Sequence, residues 1–184
     1  MSKFKATWFF FSVYLAIVIG STHLHAAGSQ SNGHAHDTKM AIGETGKFSE
    51  VTRTIKIKMF DNYYDPKEIS VNAGETVRFV VENAGEFVHE FNIATTEMHA
   101  AHQKEMMMMM EHGALEVDKI NHVIMKMNMG SGKTMEHNDP NSVLLEPSKA
   151  GEVIWKFTKV RALEFACNVP GHYDSGMMGQ VRFK

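Results

Sequence analysis

A chain of 184 residues with 43% hydrophobic content is long enough for one domain with its own core and some sequence to spare. Its formal net charge of −2 is too near neutral to suit nucleic acid or an anionic membrane surface as a partner. Usage departs from the average in its 15 Met, 11 His and single Cys, soft and borderline donors that suit copper better than magnesium or calcium, although Met as core filler gives the same count.

Lys3 and Lys5 precede an apolar run from Trp8 to Ile19, then Gly20, Ser21 and a cleavage signal at Leu24-His25-Ala26. That run has the length of a signal-peptide core and is short for a membrane span. Residues 1–26 are therefore predicted to be a signal peptide and the mature chain to be periplasmic and free of the membrane, with a retained anchor as the alternative. Cleavage removes two lysines and no acid, leaving a mildly acidic protein. Outside the cytoplasm cysteines normally pair, and Cys167 has no partner, so it is expected to be deeply buried or bound to metal. Residues 27–50, with Gly, Ser and Asn and the pair His34 and His36, read as a flexible arm able at most to hold metal loosely.

From Val51 the pattern is that of strands. Val51, Ile55, Ile57 and Met59 alternate with Thr52, Thr54, Lys56 and Lys58, the period of a half-buried strand. Asp65-Pro66 and Asn72-Ala73-Gly74 supply turns around Ile69 and Val71. Val77, Phe79 and Val81 carry the next strand to Asn83-Ala84-Gly85, and Phe87, Phe91 and Ile93 another. Residues 153–157, 163–166 and 180–183 complete a set of short strands that predicts an all-β antiparallel sandwich. Residues 95–140 break the pattern. Helix formers dominate from Glu97 to Glu116, and Gly130-Ser131-Gly132 marks a loop, so this stretch is read as a helical insertion between strands.

The segment Cys167-Asn168-Val169-Pro170-Gly171-His172-Tyr173-Asp174-Ser175-Gly176-Met177 lies between two predicted strands. Pro170-Gly171 and Ser175-Gly176 let it fold back and gather a thiolate, an imidazole and a thioether about one point. Two His and one Cys with a weak axial Met is the ligand set of blue-copper centres, and His89 is the natural second imidazole. Met177 would go unexplained at a zinc site. The short Cys-x4-His loop does not supply the oriented pair of a cysteine protease. Cys167 is flanked by Ala166 and Asn168, not by the His residues that link copper centres in oxygen-reducing oxidases.

Val71-Asn72-Ala73-Gly74-Glu75-Thr76-Val77-Arg78-Phe79-Val80-Val81-Glu82-Asn83, then His89, then Cys-x4-His-x4-Met, resembles the cupredoxins, the relatives of plastocyanin, azurin and auracyanin. The chain is most similar to the periplasmic cupredoxins of bacterial copper resistance. The resemblance covers residues 51–94 and 143–184, and implies a Greek-key β-sandwich domain over residues 51–184 with type 1 copper held by His89, Cys167, His172 and Met177. Two departures stand out. Glu90 occupies the position where many members have an Asn that ties the ligand loops together, a change that alters geometry and potential and points toward a green rather than a blue site. Met178 adjoins Met177 as a rival axial donor, and the family spacing favours Met177.

Within the insertion, Met106, Met107, Met108, Met109 and Met110 are framed by Met98, His99, His102 and His112, with Met125, Met127, Met129, Met135 and His137 beyond. Thioethers favour Cu(I), so the Met run with Met98, His99, His102 and His112 is a candidate second, labile Cu(I) site; the competing expectation is a helix packing adaptable Met on the sandwich, or a plain low-complexity loop. The sequence thus points to a non-enzymatic copper protein of copper resistance, which sequesters, transfers or redox-handles copper and meets a protein partner only transiently. A mobile electron carrier and, less favoured, a cuprous oxidase are the alternatives.

Overall fold

The computed structural model describes residues 39–127, 134–160 and 162–184. The expected signal peptide, His34, His36, Met129 and the Gly130-Ser131-Gly132 loop lie outside the described residues. Among the described residues eleven strands form two sheets packed as a sandwich. They are β1 (Lys39–Met40), β2 (Gly43–Thr45), β3 (Arg53–Phe60), β4 (Tyr63–Asp65), β5 (Glu68–Val71), β6 (Thr76–Asn83), β7 (His89–Thr95), β8 (Ser142–Leu145), β9 (Ala150–Phe157), β10 (Leu163–Ala166) and β11 (Met178–Phe183). One sheet runs β1-β2-β9-β6-β3-β4 and the other β5-β11-β10-β7-β8. Pairing is antiparallel except for β3 with β6 and β5 with β11.

The alternation in β6 and β9 follows from one face of each strand meeting the opposite sheet. Val77, Phe79, Val81, Val153, Trp155 and Phe157 are buried there while Arg78 and Glu152 pair across the outer face. Tyr64, Phe91 and Phe165 join them from other strands in edge-on or tilted ring contacts, with Tyr64 and Phe165 centroids 5.1 Å apart.

Order begins earlier than the expected arm allows. Within residues 27–50, β2 pairs with β9 and Ile42 is fully buried. Gly43, at φ +145°, lies against Trp155, where a Cβ would meet the indole nitrogen at 2.6 Å. The polar, glycine-bearing sequence hides this short strand, whose residues show no apolar alternation.

The insertion forms helix α1 (Thr96–Glu111) and a single turn, α2 (His122–Met125). Thr95 caps α1, its hydroxyl accepting from the Met98 N–H at 3.4 Å. Gly113 adopts φ +73° just beyond the end and stops the helix short of the expected Glu116. Helix α1 packs on β7 and β10, so β7 is buried on both faces.

Candidate metal centre

The site sits at one pole of the sandwich, where β7 begins and β10 ends. The pairing of β7 with β10 puts the start of one beside the end of the other, and the Glu90 N–H donates to Cys167 Sγ at 3.3 Å. Beyond Cys167 the chain turns back through His172 N–H to the Val169 carbonyl and Ser175 N–H to the Gly171 carbonyl. It closes with Met177 N–H donating to the His172 carbonyl and Cys167 N–H to the Met177 carbonyl. Glycines at φ +85° (Gly171) and +91° (Gly176) make the tight path accessible.

Three donors converge. His89 Nδ1 and His172 Nδ1 are 3.2 Å apart, and Cys167 Sγ is 3.3 Å from His172 Nδ1 and 3.9 Å from His89 Nδ1. One ion with bonds of about 2.0 Å to nitrogen and about 2.3 Å to sulfur spaces three such donors roughly 3.2–3.8 Å apart in a plane. The donor set therefore fits a metal. Met177 is fully buried in the same loop, whereas Met178 is half-buried as the first residue of β11.

The surroundings disfavour protonation of both imidazoles. Burial lowers the His89 pKa against the pull of Asp61, and burial with the neighbouring His89 brings His172 down to about 4. Burial pushes the Cys167 thiol well up, so a bound cation is what makes the thiolate accessible. Asp61 Oδ1 lies 2.8 Å from His89 Nε2, fixing the tautomer that leaves Nδ1 free to ligate. Gly85 makes room for this pair, since a Cβ there would meet His89 Nε2 at 2.8 Å. Asn83 braces the turn before His89, donating to the carbonyls of Phe87 and Leu145 and accepting from the Gly85 N–H. Nothing in the sequence marks Asp61 as a partner of His89, and Asn83 stands out only as the last residue of the stretch that resembles the cupredoxins.

Comparison with known proteins places this geometry. Residues 34–119 match the cupredoxin-like domain family. Over 175 residues the chain is 42% identical to the copper-resistant cuproprotein CopI of Pseudomonas aeruginosa, spanning 92% of each chain. This chain belongs to the CopI family. A second CopI, from Rubrivivax gelatinosus, is 37% identical across 85% of this chain and 82% of that one. Among solved structures, dithionite-reduced auracyanin from Roseiflexus castenholzii superimposes with a TM-score of 0.51 at 20% identity, covering 73% of this chain and 98% of that chain, which shows the shared fold.

In this member of the CopI family, Glu90 takes over the tie between ligand loops. Its Oε2 accepts from the Asn168 backbone N–H at 3.2 Å and from Asn168 Nδ2 at 2.8 Å. The departure from Asn thus keeps a bond across the loops and adds a buried charge. Burial works against ionisation of Glu90, but His102 and His137 hold its carboxyl well below the usual range. His102 is in turn raised to about 10, burial opposing and Glu90 and Glu105 prevailing.

The remaining residues singled out in the insertion do not share one face. Met106 and Met109 pack in the core, Met98 and Met110 pack at its margin, and Met107 and Met108 are exposed. His99 is buried, its Nδ1 3.1 Å from Asn168 Oδ1, and His112 is exposed at the helix end with Nδ1 donating to the Met108 carbonyl. His102 meets His137 and Glu90 beside the centre.

Proposed function

We propose that this chain is an exported copper protein of copper resistance that holds one type 1 copper through His89, Cys167, His172 and Met177. The convergence of His89 Nδ1, His172 Nδ1 and Cys167 Sγ on one point carries the reading, and the names of the CopI relatives support copper as the ion. Copper bound there supplies one-electron redox capacity in a thiolate field. The rigid loop between β10 and β11 holds the donors in place, Met177 offers the weak axial thioether, and the Asp61–His89 pair keeps one imidazole oriented. Half-exposed His172, with the Phe87 ring 6.5 Å from its own, marks where copper or an electron passes to a transient partner. We read the protein as a binder and redox handler of copper, not as an enzyme. Residues 1–26 direct it to the periplasm and leave it unanchored; among the described residues no helix is long and apolar enough to cross a membrane.

Deleting the gene lowers growth on copper-supplemented medium, and complementation with the wild-type chain restores it while Cys167→Ser does not. A deletion strain with unchanged copper tolerance but impaired respiration contradicts this role.

A further inference from the structure

Behind the type 1 donors, between β7, β8, α1 and the segment before β8, lies a second convergence. His102 Nε2 is 3.0 Å and His137 Nε2 2.7 Å from the same oxygen, Glu90 Oε1, and the two nitrogens are 3.1 Å apart. A single ion with bonds of about 2.0 Å sets donor spacings of roughly 2.8–3.3 Å. Glu90 is fully buried, and the His102 and His137 side chains are only 11% and 5% exposed.

The hydrogen-bond count points the same way. Glu90 Oε1 faces four donor groups, since Ser142 Oγ at 2.6 Å and Asn92 Nδ2 at 3.3 Å join the two imidazoles. A carboxylate oxygen has only about two lone pairs to offer. Two imidazole N–H groups aimed at one oxygen from 3.1 Å apart also oppose each other. A cation in place of those two protons satisfies all three groups at once. His102 Nδ1 lies 2.9 Å from Glu105 Oε2, which orients the ring with Nε2 toward Glu90, the usual outer support of a ligating histidine. Asp139 Oδ2, 3.8 Å from His137 Nε2, is near enough to supply a fourth donor.

We propose that Glu90, His102 and His137 form a second metal site that binds divalent copper. Two imidazoles and a carboxylate, without sulfur, favour a divalent ion over Cu(I), and copper stands above zinc in affinity for such a set. This site shares His102 with the Cu(I) candidate read from the sequence but uses none of its Met residues. Glu90 joins it to the type 1 donors, because the same residue donates its N–H to Cys167 Sγ and accepts from Asn168. The inference stands independently of the type 1 assignment.

The test loads the purified chain, with His34→Gln and His36→Gln to remove the arm, with Cu(II) against a weak competing chelator. Copper per chain and the electron paramagnetic resonance spectrum are then recorded. Two coppers are expected, one of them with the wide hyperfine splitting of a tetragonal nitrogen–oxygen site. His102→Gln with His137→Gln loses that copper and signal and keeps the thiolate charge-transfer band; Cys167→Ser does the reverse. An unchanged copper count and signal in the histidine double variant overturns the proposal, as does preferential filling by zinc from an equimolar mixture. Should the double variant not fold, crystals of the unaltered copper-loaded chain decide. An anomalous peak at bonding distance from Glu90 Oε1 supports the site, and a map without one there overturns it.

Discussion

Asp61 shows how a residue outside the proposed donor set can orient one of its members. It faces His89 Nε2 across the space left by Gly85, and so determines which imidazole nitrogen faces Cys167. Removing such an outer partner typically costs 10–100-fold in metal affinity. Asp61→Ala is expected to weaken Cu(II) binding by about that factor in a chelator competition, with the fold intact. Gly85→Ala is expected to do the same by displacing the pair, and unchanged affinity in both variants would show that His89 is oriented by its strand alone. Glu90 makes a comparable point. In sequence it is only a departure from the expected Asn; in the structure its two oxygens serve different neighbours, one bridging to the cysteine loop and the other facing two histidines.

At the scale of elements, legibility followed burial on one face. Strands β3, β6 and β9 alternate and were readable because solvent lies on one side. Strand β7 is buried on both sides by α1, yet Phe91 and Ile93 sufficed to mark it. Strand β2 is hard to read because its three residues, Gly43–Thr45, show no apolar alternation, and the end of α1 because Gly113, not the loss of helix formers, stops it. The spacing of Cys167, His172 and Met177 in one loop makes them readable as a candidate donor set, whereas Glu90, His102 and His137 lie far apart in the chain and meet only through the fold. The five consecutive Met residues are divided by the turn of the helix. Met106→Ala or Met109→Ala should each cost about 2–4 kcal/mol of unfolding free energy, and Met107→Ala or Met108→Ala about 0.5 kcal/mol or less. Equal losses at all four positions in urea denaturation would mean that the helix does not pack on the sandwich in this rotation.

For the molecule as a whole, the sandwich brings the start of β7 beside the end of β10. Copper binding is then linked to folding. Ligand at 100 times its dissociation constant stabilises the native state by about 2.7 kcal/mol, so copper loading should raise the melting temperature of the wild-type chain by several degrees. Cys167→Ser should lose most of the part of that rise owed to the type 1 site.

The visible absorption spectrum of the mature protein with one equivalent of Cu(II) tests the central claim most directly. An intense thiolate-to-copper charge-transfer band, absent in Cys167→Ser, is the predicted result. Weak ligand-field bands alone, identical in the two proteins, would contradict it by showing that Cys167 does not bind the ion.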